Sequence, residues 1–366
     1  MKNFLKKLVG MQFFIPIAAL LLLALFNLIA DPSFFRITLG QNSNGDPVLS
    51  GYLITILDYG SELAILAIGM TLVTAATGGQ DISVGAGIAI AGSVILKMLC
   101  GSNTRPTELQ MPIMLAFFIA VLVSIAFSCF NGVLVAYFNI QPMVATLILF
   151  TAGRSIAAWI NNNELPIISS ECSRSFSYFG NFIPGIPIPT PVFIVAVTIV
   201  IIMLLLKFTT LKLYTQSVGI NPKSSRLNGL NPELIKITAF AILGVCVAIS
   251  GLIKVSRLST INYSVIAKDI EMDAILAVAL GGNALSGGKF STWGSILGAY
   301  VIQFLTTTLY KLNVSSDALP AYKAVVIIIL VVASSATVRE KVGRFFKELS
   351  SGNASSSDAG KGGVKA

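Results

Sequence analysis

The chain contains no histidine. That removes imidazole bases, histidine-held metals and the proton relays that titrate near neutral pH. Cysteine is scarce too: Cys100, Cys129, Cys172 and Cys246 stand far apart and form no CxxC pair, which argues against a zinc or disulfide framework. Charge is the third shortage. Only 11% of the 366 residues are Asp, Glu, Lys or Arg, against roughly 25% in soluble domains. A nucleotide-binding loop is also missing. Gly282 to Phe290 comes nearest, but Asn283 stands where the pattern needs glycine, and Phe290 follows Gly288-Lys289 where it needs Ser or Thr. With no clustered nucleophile and base, the reading is of a non-enzyme, with no catalytic residue, metal site or cofactor of its own.

Apolar residues make up 55% of the chain, and the mean hydropathy is +0.83. They come in long runs, and about 20 apolar residues suffice to cross a roughly 30 Å hydrocarbon core as a helix. The runs predict an all-α polytopic membrane protein with about ten segments, at 13–30, 58–77, 82–98, 112–136, 141–161, 189–207, 236–254, 270–281, 291–309 and 321–338. The third and eighth are short or polar-flanked and are not expected to span alone. The first follows Lys6-Lys7 and imitates a secretory signal, but it outruns the usual h-region of about 7–15 residues and lacks a small-x-small cleavage site. An uncleaved first span is expected.

The net charge of +9 raises the question of an acidic partner, and its distribution answers it. Lys2, Lys6 and Lys7 precede the first run. Lys207, Lys212, Lys223, Arg226 and Lys236 crowd a central loop, while Arg339, Lys341, Arg344 and Lys347 follow the last run. Basic residues flanking alternate segments are topology signals rather than a nucleic-acid face. With both termini in the cytoplasm, 15 of the 25 Lys and Arg lie inside, and 11 of the 16 acidic residues lie outside. The organisation expected is one transmembrane domain over 1–349, with a cytoplasmic loop at 208–235 and a disordered Ser/Gly/Ala tail over 350–366.

One internal echo is present. Gly78-Gly79-Gln80-Asp81-Ile82-Ser83-Val84-Gly85 parallels Gly281-Gly282-Asn283-Ala284-Leu285-Ser286-Gly287-Gly288. Each copy interrupts apolar sequence, and non-helical backbone at membrane depth is tolerated only beside protein or a watery cavity. Transporters built from repeats place such breaks by the substrate path. Glycine used for close helix packing is the plainer reading. Polar residues near these points are the candidate path residues: Gln80, Asp81, Ser83, Asn131 and Asn283. Asp81 could equally accept bonds from amides of the following helix. Arg154, inside the fifth segment, is expected to bind a carboxylate or carbonyls, and Glu271 and Asp273 to sit at the outer interface.

The central loop carries the most specific pattern. Asn221 followed by Pro222 is an N-cap and a proline-compatible first helical position, and Gly229 is a natural residue just past a helix end. Asn221, Pro222, Lys223, Ser224, Ser225, Arg226 and Gly229 therefore outline a capped helix of about two turns, suited to docking in a groove on a cytoplasmic partner.

These motifs in this order resemble the ribose-type permeases of bacterial ATP-binding-cassette importers. The likeness runs from Leu57 to Val338, through Gly69-Met70-Thr71-Leu72-Val73, the first glycine segment, Phe130-Asn131-Gly132, the loop from Gly219 to Gly229, and Leu280 to Gly298. Within that superfamily of branched-chain amino acid and ribose permeases, 140–148 and 271–278 look most like galactofuranose permeases of enteric bacteria. Gln80 stands where these proteins often have an aliphatic residue, and Ser224-Ser225 where alanines are common. The resemblance implies a type II importer fold in the bacterial inner membrane and a path for a monosaccharide such as ribose or galactofuranose. It implies a cytoplasmic ATPase subunit carrying ATP and Mg, a soluble extracytoplasmic sugar-binding protein, and a second permease copy, identical or a paralogue. It also implies that Asn221 to Gly229 form the coupling helix, with membrane lipid around the chain and no nucleic-acid partner. The rival expectation is an ion- or proton-coupled secondary transporter acting alone, with Asp81 as its deep carboxylate.

Overall fold

The computed structural model describes residues 14–41, 45–106 and 108–334. The basic residues Lys2, Lys6 and Lys7, the cluster after the last segment and the tail from Ser350 lie outside the described residues. The chain divides into two compact units, Met1–Asn313 and Val314–Ala366.

In the first unit, α1 (Phe14–Ala30) leads into a 3₁₀ turn at Pro32–Phe35 and a hairpin of β1 (Thr38–Gln41) and β2 (Pro47–Ser50). Then come α2 (Tyr52–Thr77), α3 (Val84–Cys100), α4 (Ile113–Ala136), α5 (Pro142–Ile160), α6 (Ser170–Ser177) and α7 (Thr190–Phe208). Two short helices follow, α8 (Leu211–Ile220) and α9 (Pro222–Leu227), then α10 (Pro232–Leu258), α11 (Ile270–Leu280) and α12 (Thr292–Lys311). The second unit contributes α13 (Leu319–Ser334). Within the described residues, each of the ten apolar runs falls on a helix, and the fold is that of an all-α polytopic membrane protein.

Among the described residues, five helices, α2, α4, α5, α7 and α10, are both long and apolar enough to cross a membrane. Helix α11 has only 11 residues, so the eighth segment is short as expected, while α3 with 17 residues is no shorter than the described α1. Helix α12 has 20 residues but is not among the five, because Gln303 and Thr306-Thr307-Thr308 interrupt its apolar character.

Packing is inverted relative to a water-soluble bundle. Helix α2 forms the centre, buried without a break from Gly60 to Ala76, with α7, α10, α11 and α12 against it. Helix α4 turns Ala116, Ala120, Ser124, Ser128 and Gly132 inward and Phe118, Leu122 and Phe130 outward. Small residues inward and large apolar ones outward suit lipid, where burial of apolar surface no longer drives helices together and close backbone approach does. On α10, a Cβ at Gly244 would lie 2.7 Å from the Ser124 carbonyl oxygen, so α4 and α10 touch backbone to backbone. Gly294 and Gly298 of α12 likewise leave no room for a Cβ against the carbonyls of Gly281 and Ala277.

Candidate functional site

Polar chemistry gathers at the two ends of α2. At its C-terminal end both glycine segments meet. Gly78 closes α2 in the left-handed region (φ 68°), its N–H donating to Thr74. A side chain there would be strained and would meet the Ser286 carbonyl oxygen at 2.7 Å. The Gly288 N–H donates to the Ala75 carbonyl (3.0 Å), and Gln80 Nε2 donates to the Leu285 carbonyl (3.2 Å). Each glycine segment is thus the turn between two helices, and the two turns are docked on each other. Helix α8 seals the junction: Gly219 lies against the Ala75 carbonyl and the Gly288 amide, with no space for a Cβ.

The candidate path residues bond within this framework. Asp81 Oδ1 accepts from the Ser83 N–H (2.7 Å) and the Ser83 hydroxyl (2.6 Å), and Asn131 Nδ2 donates to Ser83 Oγ (2.8 Å). Asp81 thus bonds Ser83, the residue that precedes α3, rather than the first amides of that helix. Asn283 staples the second turn, accepting from the Ser291 N–H (2.6 Å) and donating to Ser295 Oγ (2.7 Å), which Thr71 also reaches. All five are at most 8% exposed, and none lines the cavities described below. Asn131 Oδ1 and Thr74 Oγ1 are buried here with no hydrogen-bond partner among the described residues.

The expected short helix is present as α9. Asn221 Oδ1 accepts from the Ser224 N–H (3.0 Å), Pro222 is the first helical residue, and Gly229 is left-handed at φ 80°. Ser225 faces inward, Arg226 pairs with Glu233, and Leu227 is 90% exposed. A groove of about 360 Å³ runs between α8 and α9, lined by Ile220, Asn221, Ser224 and Asn228. A second cap, Asn231 on the Leu234 N–H (3.1 Å), starts α10 immediately afterwards.

The opposite end of α2 holds what sequence reasoning missed. Arg257 of α10 bridges Glu62 (2.5 Å) and Asp58 (3.0 Å) of α2 and donates to the Gly180 carbonyl, while Lys254 pairs with Glu62 (2.8 Å). The spacing was a usable signal: Asp58 and Glu62 are four apart and Lys254 and Arg257 three apart, so each pair shares a helix face. Beside this network lie two cavities that share Tyr59 and Gln303 as lining, one of about 560 Å³ and one of about 300 Å³.

Arg154 binds carbonyls, as the sequence allows: Nη1 donates to Tyr263 (2.9 Å) and Ile266 (3.0 Å) in the non-helical stretch before α11. Glu271 departs from the expectation of an interfacial site. It is only 2% exposed, because Gly85 leaves space for its carboxylate against α3. Among the described residues, no cluster of three or more Cys, Asp or Glu is placed to hold a metal ion.

Residues 52–335 match the family described as "Branched-chain amino acid transport system / permease component". The chain belongs to this family. It is 36% identical to the fructose import permease protein FruF of Bifidobacterium longum, over 90% of this chain and 89% of that one. It is 35% identical to the galactofuranose transporter permease protein YtfT of Escherichia coli, over 87% and 88% of the two chains. Identity to the ribose import permease protein RbsC of E. coli is 32%, over 87% and 92%. No solved structure matches the chain. The molecule is therefore a multi-pass membrane permease, a transport component rather than an enzyme.

Proposed function

We propose that this chain is the path-forming subunit of a binding-protein-dependent importer that carries a monosaccharide across the bacterial inner membrane. ATP and Mg act on a separate cytoplasmic ATPase, and a soluble binding protein delivers the sugar outside. A second permease copy, identical or paralogous, completes the path, and residues 1–349 work as one domain. Both termini face the cytoplasm, which puts α9 and the glycine turns at the inner end and the hairpin at the outer end. The relatives' sugars and the charge asymmetry of the loops support this reading.

The observation that carries it is the seat of α9. A capped helix with an exposed leucine is continuous with α8, and α8 is packed through Gly219 onto both glycine turns. A push on α9 therefore reaches the ends of α2 and α11 and the starts of α3 and α12 without an intervening flexible link. Gln80, Asp81, Ser83, Asn131 and Asn283 then serve as the inner frame of the path, repacking as the spans rock. A solitary carrier has no use for such a helix, and the family is one of transport-system components.

The test is ATP hydrolysis by the reconstituted complex with its co-purified ATPase. Sugar-loaded binding protein stimulates hydrolysis in the wild type, and Ser225→Asp with Arg226→Glu abolishes the stimulation while the complex still assembles in the membrane. Uptake by this chain alone, indifferent to both substitutions, would sink the reading.

A further inference from the structure

The larger cavity at the hairpin end has a lining unlike the rest of the chain. Every residue lining it carries a hydroxyl, an amide or an ammonium group, and none is aliphatic. Three are tyrosines, Tyr52, Tyr59 and Tyr310, exposed by 39%, 43% and 51%. Lipid tails or the apolar face of another helix select the opposite surface, so neither accounts for this lining.

Among the described residues that line it, the one cation is already matched. Lys311 Nζ is 2.9 Å from Asp31 and lies over the rings of Phe34 and Tyr52. Tyr52 is in turn stacked on Phe34 with ring centroids 4.9 Å apart. The rim is therefore fixed and carries no unmatched charge. What remains is neutral hydrogen-bonding groups and aromatic faces in about 560 Å³, within the roughly 300–1,000 Å³ typical of small-molecule sites. A phosphorylated or zwitterionic ligand would find no free counter-charge in it. Below, Tyr59 and Gln303 also line the smaller cavity, where Glu62 and Lys254 are bound to each other. Tyr59 is held from behind by the Arg257 guanidinium, 4.1 Å from its ring centroid.

The geometry points to a site for a neutral polyhydroxylated ligand between α2 and α12, with Tyr59 and Gln303 as its floor and Tyr310 and Thr306 reading hydroxyls. This rests on the importer reading and places a second round of sugar recognition in the permease itself, after the binding protein.

Two measurements on the assembled, reconstituted transporter test it. In the first, Gln303→Cys is labelled with a maleimide, the labelled peptide is quantified by mass spectrometry, and the exposed Glu164→Cys serves as reference. Millimolar ribose, fructose or galactofuranose is expected to slow labelling of Gln303→Cys and leave Glu164→Cys unchanged. In the second, Gln303→Leu and Tyr310→Phe are each expected to change the ratio of uptake rates for two of these sugars by about two- to tenfold, the range of one neutral hydrogen bond. A ratio does not depend on how much variant folds. If sugar is imported with ATP but neither labelling nor the ratio moves, this site is refuted and the importer reading survives. If leucine protects and the sugars do not, the ligand class is wrong. If no sugar is imported and none protects, both readings fall.

Discussion

The two ends of α2 are built from opposite materials. At the α9 end the contacts are glycine against carbonyl, small, neutral and without slack. At the hairpin end they are buried ions, tyrosines and open cavities. About 24 Å of helix separates Tyr59 from Ala75 at 1.5 Å per residue. The glycine end is suited to passing on a displacement, since touching backbones cannot absorb one. The ionic end is suited to staying put while a ligand comes and goes, because four linked charges hold α2 to α10.

The comparison is broken most severely at Glu62. Glu62→Ala leaves Arg257 and Lys254 without their shared carboxylate in a site where the Glu62 and Arg257 side chains are 2% and 11% exposed. Loss of one partner of a buried pair costs about 3–5 kcal/mol, so the purified variant should unfold at much lower temperature or fail to accumulate. The Arg226–Glu233 pair at the other end has a side chain 64% exposed, and breaking an exposed pair costs about 0–1 kcal/mol. Arg226→Ala should leave the melting curve almost unmoved. Equal losses at the two sites would erase the contrast.

Next in size is Gly219→Val. No Cβ fits against the Ala75 carbonyl, and forcing one in costs about 1–3 kcal/mol by overpacking. The distinctive expectation is kinetic: ATP hydrolysis persists but no longer responds to loaded binding protein, because α8 is lifted off both turns. Asn221→Ala should do less. Losing the cap on the Ser224 amide costs about 1 kcal/mol, which frays α9 and weakens stimulation several-fold while leaving global unfolding in place.

Much of the glycine end was legible in the sequence, and little of the ionic end was. Asn221-Pro222, Gly229 and the paired glycine segments are local signals, and the structure places a helix and two turns where they stand. That the two turns touch was not legible, because Ala75 and Gly288 are brought together only by the packing of α2 with α11 and α12. The ionic end depends on partners some 195 positions apart in the chain. Asp58 and Glu62 are visible as charges in an apolar run, but which helix answers them is decided by tertiary packing. The tyrosine cavity is less legible still, since Tyr52, Tyr59 and Tyr310 become one lining only once α2 and α12 lie side by side.

The smallest effect separates the fixed rim from the buried network within the hairpin end. The Lys311 ammonium and the Ser33 hydroxyl and amide beside Asp31 hold its carboxyl at about 2, below its ordinary 3.8. A carboxyl whose pKa is depressed by folding stabilises the fold above its unfolded value and loses that contribution as pH falls through the folded one. Asp31→Asn should therefore melt slightly below wild type by an amount that is constant from pH 8 down to about 4 and vanishes by about pH 2. Salt should shrink the difference, because the Asp31 side chain is 45% exposed and exposed charges are screened. The Glu62 network should hardly respond to salt at all. A difference at Asp31 that survives high salt would mean that the rim is as closed as the network, and that the tyrosine cavity behind it is not open to solvent.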